Sequence, residues 1–401
     1  MNAIRKFFRD LTLVPQGLTM VVAAFLPVFA IIAMFPVVAS MIGHFSALPG
    51  AATRVPAMVT APGYAIAVLA PFAGLFVDRF GRRRLLLGCT FFYGIVGAAP
   101  FFLENLDSIF ASRILLGVCE AGILTITNTL IGDYWDDTGR RNWLMLQGFV
   151  GPALQPVVFI LVSMVASVRW NGGFLVYLVA FPIFIAMWLY LFEPKAAEQP
   201  RVADQPRDVP AEPFPVRQAA IVGGTTLFAS ILYYVFIVNG SITWAEIGVD
   251  NPMQVSKLTA LPAYFILLGA LIFRLVSGFR NGVQLAIFLG LLGTGLAGIG
   301  LSHSVGSTLV ALCIQQTGAG MAVPALIAWA QTKFDYANRG RGMGVWSSAF
   351  FLGQAISPMI IGAIAGRAGS MHGAFLVAGI AGLGAMAVLL ISSIRRQPLP
   401  A

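Results

Sequence analysis

The chain has 401 residues, of which 58% are hydrophobic and only 10% charged, where a soluble domain carries about 45–50% and about 25%. No soluble fold buries that much apolar surface, so the composition excludes a soluble domain and makes lipid the solvent. The net charge of +9 is spread through short loops rather than gathered into a patch, which argues against nucleic acid as a partner.

A short basic piece (Arg5, Lys6, Arg9) leads into an apolar run over 18–43. That run exceeds the roughly 7–15 apolar residues of a signal peptide core and reads as a retained first span. A bilayer core about 30 Å thick needs roughly 20 apolar residues per crossing. By this measure spans follow at 56–77, 83–103, 108–132, 143–167, 173–192, 218–243, 255–279, 283–301, 305–331, 343–366 and 373–394, making twelve. With both termini cytoplasmic, 20 of the 25 Lys and Arg residues fall in inside segments, which is the asymmetry of the positive-inside rule. A multi-pass protein of the cell (inner) membrane with both termini cytoplasmic is expected, most simply a monomer.

Residues 194–217 are rich in Pro and charge and predict an extended cytoplasmic linker. It would join an N-terminal six-helix bundle, 1–193, to a C-terminal one, 218–401. The two parts echo each other. Gly151-Pro152-Ala153-Leu154-Gln155-Pro156 of span five matches Gly353-Gln354-Ala355-Ile356-Ser357-Pro358 of span eleven at an offset of 202 residues, and Asp133-Tyr134 matches Asp335-Tyr336 at the same offset. Echoes in equivalent places indicate internal duplication. The expected fold is an all-α membrane protein of twelve transmembrane helices in two pseudo-symmetric six-helix bundles around a central cavity.

Cys89, Cys119 and Cys313 lie in apolar segments without metal-type spacing and read as inert thiols. His44, His303 and His372 form no metal cluster, and no Gly-x4-Gly-Lys-Ser/Thr loop is present. Neither a nucleophile–base pair nor a metal set is evident, so no enzyme activity and no cofactor is expected.

The junction of spans two and three reads Gly74-Leu-Phe-Val-Asp78-Arg79-Phe-Gly81-Arg82-Arg83-Arg84. It resembles, at each defining position, the signature of the major facilitator superfamily, Gly-x3-Asp-Arg/Lys-x-Gly-x-Arg/Lys-Arg/Lys. The resemblance implies a secondary transporter working by alternating access. Its cavity would be lined by spans one, four, seven and ten, with five and eleven contributing. A gating set of Gly74, Asp78, Arg79, Gly81, Arg82, Arg83, Asp133 and Arg140 is expected at the cytoplasmic face. Asp78 can meet the positive end of span three, Gly74 permits close helix approach, Gly81 permits a tight turn, and the arginines can pair with Asp133, Asp136 or Asp137. The plainer reading of Arg83 and Arg84 is that they only hold the loop inside. The corresponding junction of the second half, Ser277-Gly-Phe-Arg280-Asn-Gly282, lacks the acid and predicts a weaker latch.

Span four contains Arg113-Ile-Leu-Leu-Gly117-Val-Cys-Glu120-Ala121-Gly122. Ionisable groups within a span cost several kcal/mol unless they pair or face a cavity. Arg113 and Glu120 are two helical turns apart, about 10 Å along the axis, and can line one wet pathway. Arg113-x3-Gly117 resembles the arginine motif of proton-coupled exporters, which implies proton coupling through Arg113 and Glu120. The competing readings are a static Arg113–Glu120 bridge or an Arg113 that snorkels to the headgroups.

Gly148-Phe-Val-Gly151-Pro152-Ala-Leu-Gln155-Pro156 partly resembles the Gly-Pro motif of drug antiporters, with Gln155 and Pro156 where glycines are usual. Prolines remove backbone hydrogen bonds and bend helices, so Gly151, Pro152, Pro156 and Pro358 are expected hinges or packed kinks. Substrate-contact candidates are Asn128, Gln147, Gln155, Tyr233, Tyr234, Asn239, Gln315 and Gln354, each of which can equally serve interhelical hydrogen bonding.

The reading favoured on these grounds is a proton-coupled antiporter exporting small hydrophobic or amphipathic organic compounds, with protons, a small molecule and membrane lipids as partners. Two alternatives stand. Gly-x2-Glu-Ala in span four resembles organic-anion symporters, and Arg-x3-Gly-x2-Glu-Ala resembles the Spinster branch of lipid exporters, although its acidic residue in span one is missing here.

Overall fold

The computed structural model describes residues 14–72, 81–194, 213–335 and 338–395. Among these residues the chain forms twelve helical rods: α1 (Val14–His44), α2 (51–69), α3 (Arg82–Phe101), α4 (Leu106–Tyr134), α5 (Asp137–Ala166), α6 (Gly172–Tyr190), α7 (Val216–Glu246), α8 (Pro252–Leu275), α9 (Asn281–Gly300), α10 (Val305–Gln331), α11 (Arg339–Ala368) and α12 (Met371–Arg395). All but α2 are long and apolar enough over their described residues to cross a membrane. No strand occurs among the described residues, as lipid requires, because a helix satisfies its own backbone.

Several rods run past the spans that hydropathy predicts. α5 begins at Asp137 rather than near 143, because the side chain of Asp136 accepts from Gly139 N–H at 3.0 Å and caps the helix in the polar zone. Asn105, Asn251 and Ser304 cap α4, α8 and α10 in the same way. Hydropathy marks the hydrocarbon layer, whereas caps mark where helices begin. The linker's central residues, 195–212, lie outside the described residues; its end is anchored by Phe214, stacked on Phe334 with ring centroids 6.2 Å apart and capped by the Arg341 guanidinium at 4.6 Å.

The expected hinges are not where the helices break. α5 and α11 run as continuous helices through Pro152, Pro156 and Pro358. The interruptions fall elsewhere. α1 tightens to a 3-10 turn at Phe35–Val37 around Pro36. α2 divides into Ala51–Thr60 and Pro62–Leu69, and α8 into Pro252–Ala263 and Phe265–Leu275 beside Pro262. The second rod of each six is therefore jointed, as α1 is in the first six.

The first and last six helices meet along α2 with α11 and α5 with α8. A Cβ at Gly63 would lie 2.7 Å from the Phe351 carbonyl oxygen, and Thr60 Oγ1 donates to Ala355 O at 3.2 Å. On the other side Ser163 and Ser256, both fully buried, bond hydroxyl to hydroxyl at 2.6 Å and reach Pro252 O and Phe159 O. We call the end carrying Arg82–Arg84 the basic end and the opposite one the far end. Toward the far end Phe35 of α1 lies between Phe159 of α5 and Phe236 of α7, at 5.0 and 5.2 Å between ring centroids. This apolar plug closes the passage between the halves there. α5 packs chiefly on the 252–263 piece of α8 and draws away from the 265–275 piece, whereas α2 stays packed on α11 along both of its pieces.

Since nothing larger than hydrogen fits at Gly63, Gly63→Val should force α2 from α11 at the usual overpacking cost of about 1–3 kcal/mol. A lower melting temperature of the purified protein in detergent would show it; an unchanged one would mean that the two helices have room to spare.

Candidate coupling site and gate

Of the expected gating residues, Gly74, Asp78 and Arg79 lie outside the described residues. Gly81, Arg82, Arg83 and Asp133 take part in a clasp at the basic end. Gly81 has φ +80°, a conformation that side-chain-bearing residues rarely adopt. The Glu193 carboxyl lies alongside it. Glu193, just after α6, accepts from the N–H groups of Arg82 and Arg83, both at 2.8 Å. This satisfies two of the free donors at the positive end of α3. Arg82 forms an ion pair with Asp133 of α4. Arg83 donates to the carbonyls of Leu191 at 2.7 Å and Trp188 at 2.8 Å. Three helices of the first six are thereby tied together. Arg140 is exposed, its guanidinium beside Gly132.

Sequence reasoning missed Glu193, which reads as the first charge of the linker. It also missed Glu246 at the far end. That carboxylate accepts from Met371 N–H at 2.6 Å and His372 N–H at 3.0 Å, with His372 Nδ1 at 2.6 Å, and so clasps the start of α12. Each half thus fastens one helix start with a glutamate from the end of another rod.

Arg113 is 1% exposed and belongs to the interior of the first six helices. Pro100 has no N–H, so the carbonyl of Val96, four residues earlier, has lost its helical partner, and α3 tightens into its last turn there. Arg113 Nη2 takes that carbonyl at 3.1 Å and that of Gly97 at 2.7 Å. Its guanidinium also lies over the rings of Phe174 at 5.1 Å and Tyr177 at 4.9 Å. Neither the snorkelling arginine nor the static bridge to Glu120 occurs. Two carbonyls of α3 hold Arg113 within the bundle.

Glu120 is equally buried, at 1% exposure, and its Oε1 has no hydrogen-bond partner. Around it, within electrostatic reach, stand Arg113 and Cys119 of α4, Tyr93 of α3, Tyr177 of α6 and, from the opposite half, Tyr234 of α7. The phenols of Tyr93 and Tyr177 are turned away, donating to Leu26 O and Ala30 O of α1, each at 2.7 Å. In lipid-like surroundings an unpaired carboxylate is costly.

The substrate candidates separate. Tyr233 and Tyr234 join Phe350 and Trp346 in an aromatic wall. Gln147 donates to Asn128 at 3.4 Å, and Asn128 is exposed. Gln155 and Gln354 are buried, and Asn239 spends its amide on Val235 O of its own helix at 3.2 Å. Gln315 lies against Gly295 of α9, away from the opposite half, with both side-chain atoms unpartnered.

The sequence profile of the Major Facilitator Superfamily matches residues 17–335 and 280–401. The chain belongs to this superfamily. Over 344 residues this member is 24% identical to the bacillibactin exporter of Bacillus subtilis (strain 168), with 79% of the chain and 82% of the relative covered. It is 27% identical over 331 residues to the class C tetracycline resistance protein of Escherichia coli, covering 78% and 80%. Among solved structures the nucleoside transporter NupG superposes with a TM-score of 0.73 at 11% identity, covering 94% of this chain and 99% of that one. The superfamily consists of transporters and not enzymes. The fold is the twelve-helix major facilitator fold that the signature implies.

Removing the Glu193 clasp has a measurable consequence for this superfamily member. Glu193→Ala should destabilise the start of α3 by about 1 kcal/mol, the usual worth of a lost cap, and Glu193→Gln should recover part of that. Thermal unfolding of the two variants decides it; equal stability with the parent would leave the clasp without energetic weight.

Proposed function

We propose that the chain is a proton-coupled antiporter that exports small hydrophobic or amphipathic organic compounds by alternating access, with the basic end and both termini in the cytoplasm. The observation that carries this reading is the unpartnered carboxyl of Glu120, buried on α4 opposite Tyr234. Burying a carboxylate favours its neutral form and wetting it favours the anion, so alternating access to Glu120 would move a proton from one side to the other. The bacillibactin and tetracycline names of two relatives support export. The positive-inside asymmetry supports the orientation, under which the Phe35–Phe159–Phe236 plug closes the passage on the outer side.

Reconstituted into vesicles with a pH gradient, the protein should release protons when a transported compound from a panel is added. Glu120→Gln should lower that flux at least about tenfold, about 1.4 kcal/mol in barrier terms, while remaining folded and membrane-inserted. Parent-level proton flux in the variant would remove Glu120 from the coupling.

A further inference from the structure

Where α5 meets α8, two serines face each other across the halves. Ser163 and Ser256 are both 0% exposed, with 2.6 Å between their hydroxyl oxygens. Ser163 reaches across to Pro252 O at 3.1 Å, and Ser256 reaches back to Phe159 O at 3.0 Å. Each acceptor lies four residues before the serine of its own helix, so the contact is reciprocal. A helical carbonyl keeps a second lone pair beside its helical bond, and that is what each serine takes.

The proton count makes this contact robust. Each hydroxyl carries one proton, and the two protons have three short contacts to serve. They can both point at carbonyls, or one can point at the other serine while that serine donates onward to a carbonyl. In each of these arrangements two hydrogen bonds cross between the halves. Removing one hydroxyl leaves one crossing bond, from Ser256 to Phe159 O or from Ser163 to Pro252 O, and removing both leaves none. Because both side chains are fully buried, water does not compete for these bonds while the halves are together. The other joint does not repeat the pair: at the 202-residue offset the counterparts of Ser163 and Ser256 are Ala365 of α11 and Arg54 of α2. Phe159 serves twice, since its carbonyl takes Ser256 and its ring stacks on Phe35 of the apolar plug at 5.0 Å. The serines therefore pin the stretch of α5 that supplies one wall of the plug.

We infer that Ser163 and Ser256 are positioning residues that hold the far end shut, acting through Phe159 on the plug, and that opening of the far end includes their separation. This rests on the alternating-access reading, in which the far end opens in turn. It does not depend on Glu120 as the coupling group.

The test is the distance across the far end in the full-length protein in lipid nanodiscs, read by double electron–electron resonance. Spin labels go on Val168→Cys after α5 and Leu301→Cys after α9, which are 86% and 63% exposed, with Cys89, Cys119 and Cys313 replaced by alanine. Ser163→Ala and Ser256→Ala should each raise the ratio of the long to the short distance about threefold, and the double variant should raise it about tenfold, as one and then two hydrogen bonds are lost. Ser112→Ala is the control. Ser112 is a buried serine that bonds only Ile109 O of its own helix at 2.7 Å, and its loss should leave the ratio within about twofold. Monodisperse elution and cooperative thermal unfolding of each variant exclude misfolding. An unchanged ratio in the double variant, or an equal rise with Ser112→Ala, overturns the inference. The two readings also fail separately. If the double variant matches the parent while a transported compound produces the long distance in both, the serine clip falls and alternating access stands. If no variant and no compound produces the long distance, both fall.

Discussion

Hydrocarbon offers no hydrogen bonds, so every polar group carried into a span must find its partner within the protein. Most of the buried polar side chains described above obey this by turning to backbone carbonyls. Tyr93 and Tyr177 reach α1, Arg113 takes two carbonyls of α3, and Ser163 and Ser256 bridge α5 and α8. Exceptions remain, and the bare Oε1 of Glu120 stands among them with two nitrogens of Arg113, both side-chain atoms of Gln315 and Trp346 Nε1. An unpartnered group of this kind carries its full desolvation cost, which is largest for an ionised one.

The joint between the halves suits movement. Where α2 meets α11 the contact consists of Gly63, Thr60 and Ala355, with backbone nearly on backbone. Small residues allow such approach without interlocking side chains. Both second rods, α2 and α8, are interrupted near their middles, so each can change tilt on one side of the break while its other piece stays seated. The clasps of Glu193 and Glu246 act differently. Each joins helices of one half and so stiffens a half as a unit, without fixing the halves to each other.

The fold was legible because lipid makes hydropathy almost sufficient: twelve apolar runs, a charge asymmetry and one dense signature lead to it directly. Rod ends were less legible, since Asp136 and Asn251 lengthen helices in polar surroundings where hydropathy is silent. At the site, the presence of Arg113 and Glu120 could be read from cost alone, yet their separation could not. It depends on Pro100, thirteen residues before Arg113 in sequence but on a different helix, and on rings of α6 that look like ordinary lipid-facing aromatics. Glu193 was hidden for the same reason, its partners being backbone N–H groups, which sequence does not distinguish. The prolines of α5 do not interrupt it, whereas Pro62 stands at the first position of a helix piece, where its missing N–H costs nothing.

Duplication makes the asymmetry of the site informative. At the 202-residue offset that relates α5 to α11, the counterpart of Arg113 is Gln315 and that of Glu120 is Ala322. Gln315 retains the inward placement, 1% exposed and lying on Gly295 of α9, as Arg113 lies on the end of α3. The second half therefore keeps the geometry and has shed the charge, and what it presents toward the passage is aromatic. An arrangement with ions in both halves would add a second desolvation cost at each closure of the passage. With charge confined to α4 of the first half and rings in the second, that cost falls on one half alone.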